Sequence, residues 1–181
     1  MRALAEKESG FTFTELVVAA ALIGLLGGIM LPTLQPNLEN EQLNSVATVS
    51  IKWLNSLRQT SIQNSVPCRA TWDLTNATLS GSCDNGVTAP GVLDLRAAAN
   101  NSNLLIEVTT EPPDGDPPGS EPANTWIFTP RGTSITTGEA NISLANNANE
   151  LGRCVRLTAP LALLRAGRRT TSELCDYTIS F

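Results

Sequence analysis

Apolar residues run unbroken from Leu16 to Leu31, with no charged or strongly polar side chain among them. The run lies within FTFTELVVAAALIGLLGGIMLPTL, behind a short charged opening, MRALAEKESG. A helix over Phe11–Leu31 holds 21 residues and spans about 31 Å, one hydrocarbon core. A secretory signal fits poorly, because the run is long and no A-x-A-like site follows it. A plain membrane anchor explains the hydrophobicity but leaves Glu15 unexplained. A carboxylate inside an apolar span costs about 2.5–3.5 kcal/mol on insertion scales, and less near the interface. Gly24, Gly27 and Gly28 suit close approach of helix backbones, and equally the general glycine enrichment of membrane helices.

From Asn37 to about Ser65 the pattern becomes amphipathic. Leu38, Val46, Val49, Trp53 and Leu57 fall on one stripe, bordered by Ser50 and Leu54, which predicts a helix laid on a sheet. Pro67 ends it. The period then changes to two: Cys68, Ala70, Trp72 and Leu74 alternate with polar residues, a turn covers Thr75–Thr78, and a second strand leads to Cys83. Further strands are expected at Val92–Arg96, Leu104–Thr109, Thr125–Thr129, Ala140–Leu144, Arg153–Thr158, Leu161–Arg165 and Asp176–Phe181. The segment EPPDGDPPGSEP predicts an exposed loop. In order, these elements make an α+β chain: a long N-terminal helix, membrane-embedded and then stalk, packed on a C-terminal antiparallel sheet.

Charge sharpens the picture through its placement. The net charge is −5, yet residues 107–121 hold five acids and no base, while residues 153–169 hold five arginines and no acid. The arginines are Arg153, Arg156, Arg165, Arg168 and Arg169. With no histidine in the chain, His-based catalysis and His metal sites are excluded. Cys68, Cys83, Cys154 and Cys175 form no CxxC pair, which argues against zinc. Two disulfides in an oxidising compartment are expected. Three pairings are possible, and short loops favour Cys68–Cys83 with Cys154–Cys175. Asp114-Gly-Asp116 offers alternate oxygens for calcium, but no full ligand set follows. Without a phosphate loop, nucleophile elbow or metal-ligand set, no enzyme activity and no cofactor are expected.

The N-terminus resembles the signature of type IV prepilins and type II secretion pseudopilins. GFTFTELVVAAALIGLL carries it, with Gly10, Phe11, Glu15 and Pro32 in register. The resemblance covers only about the first 25 residues. It implies a leader at 1–10, a transmembrane and filament-core helix at 11–34, its amphipathic continuation at 35–66, and a β-rich globular domain at 67–181. It implies cutting by prepilin peptidase after Gly10 and methylation of Phe11. It implies pairing of Glu15 with a neighbouring subunit's terminal amine. Pro32 lacks an N–H, so a bend or local melting is expected there.

A second resemblance, over about residues 125–169, is to the GspH/FimT family of minor pseudopilins and minor pilins. Phe128-x-Pro130-x-Gly132, a strand ending at Leu144, then Arg153-x-Val155-x-Leu157 and a basic glycine-containing tail carry it. The fold implied is pilin-like. The partners implied are other pilin or pseudopilin subunits, the peptidase, a pilus or secretion assembly platform and the inner membrane. The location implied is a single-pass inner-membrane protein with an exported domain, later part of a pilus or periplasmic filament. Some FimT-like members bind DNA through an arginine-bearing segment around a Gly-Arg motif. Gly167, Arg168 and Arg169, with Arg165 before them, match that in part, and Thr170 departs from it. DNA uptake is therefore a further expectation for the five arginines. A solvated strand edge, or salt bridges to the acidic segment, would place the same charges without DNA.

Overall fold

The computed structural model describes residues 12–111, 124–145, 152–169 and 175–178, with the side chains of residues 26–37 outside that set. Gly10, Phe11 and the side chain of Pro32 thus lie outside the described residues, as does most of the acidic segment, Asp114 and Asp116 included. The chain divides into two units, Met1–Leu38 and Glu39–Phe181.

Helix α1 (Phe13–Asn64) begins in the first unit, and its helical backbone continues through Pro32. Thr12 caps it. The Glu15 carboxylate accepts from the Thr12 N–H at 2.9 Å and the Thr12 hydroxyl at 2.7 Å, and the Glu15 N–H donates to the same hydroxyl at 3.4 Å. This reciprocal pair satisfies donors that a helix start leaves unpaired. Beyond it Phe13, Leu16, Val17, Val18, Leu22, Ile23 and Leu25 are all exposed. Among the described residues no helix is long and apolar enough to cross a membrane.

In the second unit, α1 turns Leu43, Val46, Ala47, Ser50, Trp53, Leu54, Leu57 and Ser61 inward. Their spacing of three and four residues is that of one helical face. Two residues expected on this face are not central to it: Leu38 is exposed and Val49 half-buried. Ser50 and Leu54, expected at the border, are fully buried.

Among the described residues nine strands follow, in two antiparallel sheets rather than the single sheet expected. The first sheet has the order β3-β2-β1-β5, from β1 (Cys68–Asp73), β2 (Thr78–Cys83), β3 (Leu93–Asp94) and β5 (Thr125–Phe128). The second has the order β4-β6-β7-β8-β9, from β4 (Leu104–Glu111), β6 (Thr137–Leu144), β7 (Gly152–Thr158), β8 (Leu163–Arg169) and β9 (Cys175–Asp176). The split falls where β5 returns to pair with β1, while β4 pairs with β6.

Local chemistry explains the other departures. The expected strand Val92–Arg96 forms only in part, as β3 (Leu93–Asp94), and from Leu95 the chain becomes a short helix, α2 (Leu95–Ala99). Asp94 caps it by accepting from the Ala97 N–H at 3.0 Å, and Asn100 ends it with a left-handed φ of 50°. The strand expected at Leu161–Arg165 begins at Leu163, after a turn holding the cis peptide Ala159–Pro160.

Trp72 and Trp126 meet edge to face, with ring centroids 5.2 Å apart, in the core between α1 and the sheets. Gly81 lets α1 lie close: a Cβ there would meet Leu57 Cδ1 at 3.0 Å and Trp53 Cη2 at 3.1 Å. Arg58, on α1, donates from Nε to the Gly132 carbonyl at 2.7 Å, and its other nitrogens reach the carbonyls of Leu161 and Ala162. One helix side chain thereby holds two turns.

Candidate functional site

The second sheet has one face toward the core and one toward solvent. Ile106, Ala140, Ile142, Val155 and Leu157 are buried on the inner face. Alternation along each strand then sends Glu107, Thr109 and Glu111 (β4), Glu139 and Asn141 (β6), Arg156 (β7), and Arg165 and Arg169 (β8) to the outer face. Register makes a row of four of them: Thr109 opposes Glu139, Glu139 opposes Arg156, and Arg156 opposes Arg165.

This parity divides the arginine cluster. Arg156, Arg165 and Arg169 share the outer face. Arg168 opposes Arg153 on the other side of the sheet. Arg153 departs most from the expectation of an accessible DNA contact, since it is only 3% exposed. Its Nε donates to Asn44 Oδ1 at 2.6 Å, its Nη2 to Asn40 Oδ1 at 3.1 Å and its Nη1 to the Gly152 carbonyl at 2.9 Å. Burial first, and then the Arg168 charge, lowers its pKa from the ordinary arginine value. Arg153 therefore joins α1 to the sheet. The apolar–polar alternation of β7 gives no hint of this, because a buried arginine needs partners that lie more than 100 residues away in sequence.

Two disulfides are present, Cys68–Cys83 and Cys154–Cys175. The first staples β1 to β2, where the two cysteines are directly opposed. The second holds β9 and Tyr177 on the outer face. Glu139 lies beside this second bridge, with its carboxylate and both sulfurs within 4.8 Å. Sulfurs committed to a disulfide are not thiolate ligands, so the cluster is not built for a metal.

Tyr177, the one tyrosine in the chain, completes the face, and the sequence pattern did not single it out. Its hydroxyl donates to Glu139 Oε2 at 2.6 Å, and its ring centroid lies 5.7 Å from Arg156 Cζ. The ring also occupies the space above Gly167, where a Cβ would meet Tyr177 Cδ1 at 2.7 Å. Gly167, read as part of a Gly-Arg motif, is thus also the seat of Tyr177. The available signal was position: the tyrosine lies two residues past Cys175.

Burial, and next the hydrogen bond and charge of Glu139, raise the Tyr177 pKa well above its ordinary 10.0. The folded state holds this proton more tightly than the unfolded chain does. The resulting stabilisation is complete below pH 10 and is lost as pH rises beyond it. Through the hydrogen bond to Glu139, wild type is expected to exceed Tyr177→Phe in stability at neutral pH, and the raised pKa makes that gap shrink above about pH 10. Denaturant titrations of both proteins across that range check this.

Two concavities flank Arg156 on this face. One, of about 240 Å³, is lined by Arg156, Thr158, Leu163, Arg165 and Tyr177. The other, of about 150 Å³, is lined by Thr109, Glu111, Thr137, Gly138, Glu139 and Arg156.

No family model matches the chain, and no curated protein matches it. Among solved structures, the chain is similar to the minor pseudopilin EpsH of the type 2 secretion system of Vibrio cholerae. That match has 13% identity and a TM-score of 0.47, covering 71% of this chain and 95% of that one. It is also similar to the type IV minor pilin FimU of Pseudomonas aeruginosa, at 14% identity and a TM-score of 0.48, covering 76% of this chain and 94% of that one.

Proposed function

We propose that this chain is a minor pilin-like structural subunit that assembles into, initiates or caps a type IV pilus. In this reading prepilin peptidase cuts after Gly10, Phe11 becomes the methylated N-terminus, and the apolar part of α1 holds the subunit in the inner membrane. Subunit and assembly platform then draw it into the filament, with the β-rich domain exported. The type II secretion pseudopilin is the sister reading, with the same processing and no DNA role.

The observation that carries the proposal is the start of α1. Its apolar residues from Phe13 to Leu25 surround the helix and are exposed, with Glu15 at their head. A helix apolar on all sides is stable only when lipid or other helices cover it. The run continues in sequence to Leu31. In a filament, a neighbour's terminal amine beside Glu15 would offset the burial of both charges and fix the register of stacking. The two disulfides suit an exported domain.

Glu15→Val is expected to leave leader cleavage and membrane insertion intact while reducing incorporation into sheared filaments by about tenfold or more. Quantitative immunoblotting of membrane and filament fractions checks this. Incorporation at the wild-type level would remove the role given to Glu15.

DNA contact is a second reading, favoured by the common outer face of Arg156, Arg165 and Arg169. It predicts salt-sensitive retention on duplex DNA that Arg165→Ala with Arg169→Ala weakens. Equal retention of the two proteins would sink it.

A further inference from the structure

We infer that the outer face of the second sheet is a self-complementary docking surface whose partner is a second copy of this chain. The inference concerns the β-rich domain alone and does not depend on the filament reading.

The face is bipolar. Its β4 side carries Glu107 and Glu111, with Glu139 next to them on β6, while its β7–β8 side carries Arg156, Arg165 and Arg169. Neighbouring strands lie about 4.8 Å apart, so β4 and β8, three strand steps apart, are separated by about 14 Å. That exceeds the screening length of about 8 Å at physiological salt. Each half therefore presents its own sign to a partner.

Within one copy the arrangement is incompletely compensated. Arg156 and Arg165 are directly opposed like charges, an arrangement that disfavours strand pairing. Glu139 opposes Arg156, but its carboxylate is taken by the Tyr177 hydroxyl. Among the described residues, Arg165 and Arg169 form no ion pair.

A second copy resolves this by symmetry. Rotating a copy by a half-turn about an axis parallel to the strands, and laying the two faces together, puts each acidic half over a basic half. The contact is isologous, so each pairing occurs twice. The two concavities give it local definition. The basic one, between Arg156 and Arg165, has room for a carboxylate from the other copy. The acidic one, beside Glu111 and Glu139, has room for a guanidinium. The Tyr177 ring stands between the two charge signs and offers a flat apolar contact at the centre. Extended DNA suits the face less well, because a duplex lying across the strands would set phosphates over Glu107, Glu111 and Glu139.

The test uses the full chain in detergent, after nuclease treatment, with tagged and untagged copies mixed and the untagged copy quantified after affinity capture. Three proteins are compared: wild type, Arg156→Glu/Arg165→Glu, and Glu107→Lys/Glu111→Lys. Correct folding of each is checked by complete formation of both disulfides. Capture of wild type by wild type is expected to fall at least about tenfold when salt is raised. Each variant captured by itself should show a similar loss at low salt, because both halves of its face then carry one sign. Mixing the two variants should restore capture. Capture through α1 alone would be salt-insensitive and equal in every combination, and that result overturns the inference. Loss of wild-type capture on nuclease treatment would also overturn it, since nucleic acid would then be the bridge.

Discussion

Trp126→Ala is expected to destabilise the β-rich domain by about 3–5 kcal/mol, the largest effect of any single substitution considered. The indole is fully buried, contacts Trp72 edge to face and lies against the bare backbone of Gly138 on the other sheet. It is thus a side chain of the first sheet that reaches the second. Truncation removes its transfer free energy and leaves a cavity that two sheets and a helix cannot all close around. The loss is a large share of a typical domain stability of about 5–15 kcal/mol. The urea midpoint should fall accordingly. Leu161→Ala, at a site 73% exposed, should shift stability by no more than about 0.5 kcal/mol. Comparable midpoints for the two variants would mean that Trp126 is not the joint between the sheets.

Removing the second disulfide, as Cys154→Ser with Cys175→Ser, is expected to cost about 2–5 kcal/mol. The bridge closes a separation of 21 residues. It holds β9, whose pairing with β8 is only two residues long, Arg168 with Asp176 and Arg169 with Cys175. Without it, β9 and Tyr177 should leave the outer face. Thermal unfolding should show the lower stability, and the alkaline difference between this variant and the same variant carrying Tyr177→Phe should vanish. If that difference persists, β9 keeps its place without the bridge.

Much of the architecture was legible in the sequence because it rests on periodicity. Val46, Ser50, Trp53, Leu54 and Leu57 of the α1 face recur at three and four, and the alternation from Cys68 to Trp72 marks β1. Leu38 and Val49 were misplaced because a stripe drawn at the edge of a helical face rotates out of contact by one position. The single sheet expected became two because strand partners are not written in strand pattern. Nothing local says that β5 turns back to β1 while β4 pairs with β6. The stretch around Asp94 misled for another reason. Val92, Leu93 and Leu95 look like one strand, but the pairing stops at Asp94, where its cap and the left-handed Asn100 fix a short helix over Leu95–Ala99.

The candidate face was legible only in part. The arginines were visible as a cluster, yet five charges close in sequence need not share a surface. Strand parity sends Arg156, Arg165 and Arg169 one way and Arg153 the other, and Arg153 is then held by Asn40 and Asn44 of the distant helix. Glu139 and Tyr177 passed unnoticed because neither belongs to a motif. Their pairing depends on register across β6, β7, β8 and the bridge at Cys175. Glu15 shows the opposite limit. Sequence register pointed to assembly, and the structure adds a capping role with Thr12 that any helix start of this kind would use. A valine at position 15 removes both roles, so the stability of the membrane-bound subunit needs to be compared alongside its incorporation.

The central claim is that the chain is processed and assembled as a filament subunit. The most direct measurement is the intact mass and N-terminal peptide of the protein recovered from sheared filaments. The assembled protein is expected to begin at Phe11, to carry one methyl group on its amine and to have lost residues 1–10. Assembled protein that still begins at Met1 would contradict it.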